Sequence, residues 1–152
     1  MKQRDKRVAF MTYFFMVGGL IGLLVSFLRL RHPGDDSWFW FTLSVQTVLF
    51  SLFFYVGYLF LNKENRRASE LGIFIQVLQI FTFTAWGWSY YFAGGIGISL
   101  TYLLEPGALE FSAGVSDFVW DLVPKRRAKQ VGINLFAVVI LFILLKIRKA
   151  YR

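Results

Sequence analysis

The sequence has no cysteine, one histidine and three prolines in 152 residues, and charged residues make up only 17% of it. Each scarcity closes off a class of function. Without cysteine there is no disulfide, no thiolate nucleophile and no cysteine-ligated metal, and the redox state of the compartment leaves no mark. The lone histidine, His32, stands in Arg31-His-Pro-Gly-Asp-Asp36. Pro and Gly there read as a turn, and one imidazole beside two carboxylates is a poor metal site. No Ser-His-Asp set, phosphate-cradling loop or carboxylate pair on a rigid element can be assembled, so catalysis is not expected and no cofactor is indicated. The shortage of charge matters most: with 57% hydrophobic and 20% aromatic residues, the composition fits a soluble domain poorly.

What is present is a set of charge-free runs. Val8–Leu28, Trp38–Leu61, Leu71–Phe92 and Val131–Leu145 contain no Asp, Glu, Lys or Arg. A helix rises about 1.5 Å per residue and the hydrocarbon core is about 30 Å thick, so roughly 20 apolar residues suffice to cross. The fourth run reaches across only if Lys146 snorkels its ammonium toward the headgroups. These runs predict an all-α membrane protein, a four-transmembrane-helix bundle with spans at about 8–28, 38–61, 71–92 and 131–147. An ordered outer loop, 93–130, completes the single membrane domain. The first run reads as a retained span: it is too long for a signal-peptide core and ends in Arg29-Leu-Arg31 without a small-residue cleavage site. A fifth span through Ala93–Val123 would carry Glu105, Glu110, Asp117 and Asp121 into hydrocarbon, at about 2.5 kcal/mol or more each near the centre.

On the four-span plan, eleven basic residues share the face of the two termini and six lie opposite, which places both termini in the cytoplasm of a cell (inner) membrane protein. The net charge of +8 collects on that face and suits anionic lipid headgroups, not nucleic acid. Trp38, Trp40, Trp86, Trp88 and Trp120 all fall on the outer side. They form either an interfacial belt or the walls of an outer pocket.

Small and polar residues punctuate the runs. Gly18, Gly22 and Ser26 recur at four-residue spacing, a stripe against which another helix can pack closely. Gln46, Gln76, Gln79 and Asn134 are costly in hydrocarbon unless hydrogen-bonded, so they should face one another or a partner. No ionisable residue lies near the middle of a run, which argues against proton relays and voltage sensing. In the outer loop, Ile96–Tyr102 and Leu109–Ser112 alternate about Glu105-Pro-Gly-Ala108, the pattern of a short β-hairpin; the rival is a third span continued through Leu104 or a Gly-rich segment that re-enters the membrane. Val115–Val123 has the spacing of an interfacial helix. Lys125, Arg126 and Arg127 follow, placed to meet lipid phosphates or an acidic partner.

Gly18-Gly-Leu-Ile-Gly22 with Arg29, Thr42-Leu-Ser-Val-Gln46 and Phe81-Thr-Phe-Thr84 loosely resemble the small four-span fluoride channels. Gln46 stands where that pattern wants Asn, Phe50 replaces a glycine, and the outer loop has no counterpart, so the resemblance assigns no activity. The residues point to a non-enzymatic integral membrane protein: an accessory, assembly or structural subunit. Its partners would be membrane lipids, other membrane subunits or further copies, bound in the bilayer and through the outer tryptophans and Lys125–Arg127. The competing reading is a small channel or carrier for an ion or apolar solute, lined by Gln46, Gln76 and Gln79.

Overall fold

A computed structural model describes residues 3–31, 37–122 and 129–151, without the side chains of residues 3–5, 121 and 122. Helices α1 (Gln3–Arg29) and α2 (Ser37–Leu61) run antiparallel. Their backbones approach closely because glycine faces bulk: Gly19 lies on the Phe54 backbone, Gly22 under the Phe50 ring and Gly57 against Met16. Two shorter helices, α3 (Asn65–Ile80) and α4 (Leu135–Ala150), pair antiparallel, with Gly72 against Leu144 and Arg148 3.6 Å from Glu70. Among these helices, Lys6–Arg29 and Ser37–Leu61 are long and apolar enough to cross a membrane.

Four strands complete the chain: β1 (Phe81–Ala85), β2 (Trp88–Leu103), β3 (Ala108–Leu122) and β4 (Gln130–Asn134). All pairings are antiparallel. β1 turns into β2 through Trp86-Gly87, both at positive φ (52° and 83°), the two-residue turn whose twist matches the flanking strands. The other edge of β1 pairs with β4, from Phe81↔Ile133 to Thr84↔Gln130. β4 in turn pairs with the far end of β2, from Ser99↔Asn134 to Leu103↔Gln130. The hydrogen-bonded path β2–β1–β4–β2 is therefore closed, and β2 must bend sharply to close it. The bend falls at Gly94-Gly95, where the β2–β3 register shifts and Gly95 takes φ +82°. β3 follows β2 along its whole length and pairs with no other strand among the described residues.

The sheet docks on α1 at that bend. The Ser116 hydroxyl donates to the Gly18 carbonyl and accepts from the Gly95 N–H, both at 2.9 Å. The core between helices and sheet is aromatic: Phe15, Phe50, Phe53, Phe92 and Phe118 are fully buried, with Phe15 and Phe53 centroids 4.5 Å apart.

The all-α four-span bundle predicted above is overturned. Among the described residues only two helices qualify as spans, and a four-stranded sheet occupies much of the second half of the chain. The run 71–92 is helical only to Ile80, and 131–147 begins as a strand. The reason is that absence of charge measures polarity and not period. Phe81-Thr-Phe-Thr alternates with a period of two, Gly87 allows a tight reversal, and Val131-Gly-Ile-Asn134 alternates again. The interfacial helix expected over Val115–Val123 is likewise absent, since residues up to Leu122 belong to β3. The alternating segments Ile96–Tyr102 and Leu109–Ser112 face each other across the β2–β3 hairpin, which is much longer than expected.

Candidate functional site

Alternation along the strands sorts the side chains onto two faces. Phe81, Phe83, Leu100, Tyr102, Leu109, Phe111, Val115, Val131 and Ile133 point outward and are exposed, Leu109 and Phe111 each at 68%. Thr82, Thr84, Ser99 and Asn134 point the other way and are buried. This arrangement inverts that of a water-soluble sheet, and it is the apolar-out, polar-in order of strands that face lipid.

The inward residues, with Phe83 at the rim, line a half-open cavity of about 450 Å³, within the range of small-molecule sites. Six hydroxyls from Thr82, Thr84, Ser89, Ser99, Thr101 and Ser112 line it, with the Tyr91 phenol and the Gln130 amide. No charged side chain contributes to the wall. Gly132 shapes the floor: a Cβ there would lie 2.6 Å from the Thr82 hydroxyl and 2.7 Å from that of Thr101. Gly97 similarly makes room for the Tyr91 hydroxyl, which a Cβ would meet at 2.6 Å.

Some of the lining groups satisfy one another. Thr84 and Ser89 hydroxyls are 2.9 Å apart, and Gln130 Nε2 donates to Thr84 Oγ1 at 3.2 Å. The Tyr91 phenol can donate and accept. Ser99 Oγ, in a residue only 2% exposed, lies beside the Tyr91 phenol but meets full hydrogen-bond geometry with no protein atom among the described residues. A buried hydroxyl in that state costs about 1–3 kcal/mol unless something else completes it.

The four amides Gln46, Gln76, Gln79 and Asn134 are fully or almost fully buried, and the bonds that three of them make run to groups other than one another. Gln46 accepts from Arg29, Gln79 accepts from the Gly94 N–H at 2.9 Å, and Asn134 accepts from the N–H groups of Ile98 and Ala137. Gln76 has no hydrogen-bond partner at either side-chain atom. Gln79 thus fixes the β2 bend, and Asn134 caps α4 while holding β2. Of the helix-packing residues, Gly18 meets Gly95 and Phe53, Gly22 meets Phe50, and Ser26 bonds back to the Gly22 carbonyl at 2.9 Å.

Trp38, Trp88 and Trp120 converge, with Trp38 centroids 5.4 Å from Trp88 and 6.2 Å from Trp120. Trp40 and Trp86 stand apart and exposed, at 51% and 88%. Below this cluster an apolar groove of about 590 Å³ runs between α2, α3 and the sheet. His32, Lys125, Arg126 and Arg127 lie outside the described residues.

Sequence reasoning singled out none of the inner hydroxyls except Thr82 and Thr84, and those as parts of a helix. The available signal was the Phe-Thr-Phe-Thr alternation beside Ile98-Ser-Leu-Thr-Tyr102. Comparison with known proteins adds no identity: no family model, curated protein or solved structure matches the chain.

Proposed function

We propose that the protein is a non-enzymatic, membrane-embedded binding protein that takes a small uncharged hydroxylated molecule into the cavity of its curled sheet. The observation that carries the reading is the inverted sheet, whose buried side ends in a hydroxyl-lined cavity with the buried Ser99 hydroxyl beside Tyr91. Hydroxyls and one amide can both donate and accept, which suits a polyol or sugar, and a wall without charge gives no means of holding an ion pair. Membrane embedding is supported by the outer sheet face and by α1, where Tyr13, Val17, Leu20, Leu24 and Phe27 form one exposed stripe. Such a continuous apolar surface is not sustained in water. The basic end, with Lys6, Arg7, Lys63 and Lys149, is read as cytoplasmic.

The test is equilibrium dialysis of the detergent-solubilised chain against labelled hexoses and inositols. Thr101→Val removes one wall hydroxyl at nearly constant shape and Ser99→Ala removes the buried one beside Tyr91. Each is expected to weaken binding about tenfold, the equivalent of one hydrogen bond of about 1.4 kcal/mol. Binding that survives both changes, or no binding by the parent chain, would rule the reading out.

A second reading, assembly, is favoured by β3. Its outer edge carries unpaired backbone groups beside an apolar face, and an open edge is not tolerated in hydrocarbon. A second copy fits: antiparallel self-pairing about Ser112 sets Leu109 opposite Val115 and Phe111 opposite Ala113, and no acid faces an acid. Because the chain has no cysteine, Ser112→Cys is expected to give a disulfide-linked dimer under mild oxidation. A monomer that resists cross-linking there would exclude this pairing.

A further inference from the structure

At the end of the molecule far from the sheet lies a second cavity, of about 740 Å³, between α1, the α2–α3 connection and the end of α4. Val8, Ala9, Met16 and Phe60 give it apolar walls, and Lys63 and Asn65 stand at its polar end. Asn65 is 8% exposed, yet its side-chain oxygen has no hydrogen-bond partner. It opens α3, whose first turn has no side-chain cap because Glu64 makes none. The N–H groups of that turn therefore point out uncapped, at the positive end of a 16-residue helix.

The charges nearby are already sorted. Glu64 pairs with Arg67 at 3.0 Å, and Glu70 lies 3.4 Å from Arg66 and 3.6 Å from Arg148. Lys63, held at φ 63° on the connection, has no acidic partner among the described residues. An ammonium, a carboxamide that can present its N–H₂ side, and a helix N-terminus together make a site for a phosphate oxyanion. As it stands the unpartnered Asn65 atom is the oxygen, an acceptor, and a half-turn of the carboxamide about Cβ–Cγ sets its NH2 donors in that place.

We propose that this cavity holds an anionic phospholipid, with its phosphate at Lys63 and Asn65 and the first carbons of an acyl chain along Val8, Met16 and Phe60. The apolar walls are what select a lipid over a free phosphate ion. The cavity also adjoins the exposed apolar stripe of α1, along which a chain can continue. This inference rests on the membrane reading and is independent of any ligand in the sheet cavity.

Native mass spectrometry of the full-length chain in mild detergent tests it, with phosphatidylglycerol, phosphatidylcholine and inorganic phosphate titrated separately. Phosphatidylglycerol is expected to be retained at least about tenfold more than phosphatidylcholine. Lys63→Gln, on an exposed residue that leaves the fold untouched, should bring that ratio close to one, as should Asn65→Leu. Lys149→Gln removes a charge from the same end but not from the cavity and should leave the ratio unchanged. Equal retention of the two lipids by the parent chain would overturn the proposal. So would an equal loss in Lys149→Gln, which would mean diffuse attraction, or displacement of the lipid by inorganic phosphate, which would mean a free-anion site.

Discussion

Gly18→Leu is expected to separate the β2–β3 hairpin from α1 and to destabilise the protein by about 3 kcal/mol, the upper end of overpacking costs. The geometry leaves no easy escape. Even a single Cβ at position 18 would lie 2.7 Å from Gly95 Cα and 2.8 Å from Gly95 N, and backbone cannot rotate away as a side chain can. The same displacement removes the Ser116 bond to the Gly18 carbonyl. Gly114→Ala is the matched control, because its Cβ meets nothing nearer than the Tyr91 hydroxyl at 3.9 Å. Thermal unfolding in detergent, followed by near-ultraviolet circular dichroism from the aromatic core, reads the difference. Equal midpoints for the two variants would show that the hairpin does not dock through the Gly18–Gly95 contact.

Asn134→Leu is expected to cost a similar amount, about 3 kcal/mol, for a different reason. One oxygen serves two elements: it caps α4 through the Ala137 N–H at 3.2 Å and holds the Ile98 N–H of β2 at 3.3 Å. Loss of a helix cap costs about 1 kcal/mol, and an orphaned buried N–H about 1–3 kcal/mol. Asn134→Asp keeps an acceptor at the positive end of α4 and should lose less. Chemical denaturation of both variants in one detergent distinguishes the cases. An equal loss would mean that the amide contributes volume and not hydrogen bonds.

The two residues also mark what the sequence discloses and what it conceals. The stripe Gly18–Gly22 was legible because small residues at four-residue spacing predict close approach whichever partner arrives. That one partner would be a strand bend, Gly95, was not legible, since the spacing describes α1 alone. The amides were recognised as groups that need partners, but sequence cannot say that Gln79 and Asn134 find theirs in backbone N–H groups of β2. The larger misreading came from judging runs by charge. Leu71–Phe92 begins with the end of α3, through Ile80, and continues as the strand Phe81-Thr-Phe-Thr, and a window that averages hydropathy treats both alike. The hydroxyl-lined cavity depends on strands far apart in sequence. Thr82, Thr101 and Gly132 meet only because β4 enters between β1 and β2, a long-range fact that no local pattern carries.

That entry of β4 also imposes an order on biosynthesis. β1 and β2 can form their hairpin as soon as residue 90 is available, and β3 can join soon after. The ring, however, stays open until residues 130–134 arrive to take both free edges at once. Until then the nascent chain presents two unpaired strand edges next to aromatic surface, the kind of intermediate that aggregates or calls for a chaperone. The last five-residue strand is thus the latch of the molecule. Its pairing, with a sequence separation of about 30 to 50 residues, is the slow non-local step that contact-order arguments assign to late closure.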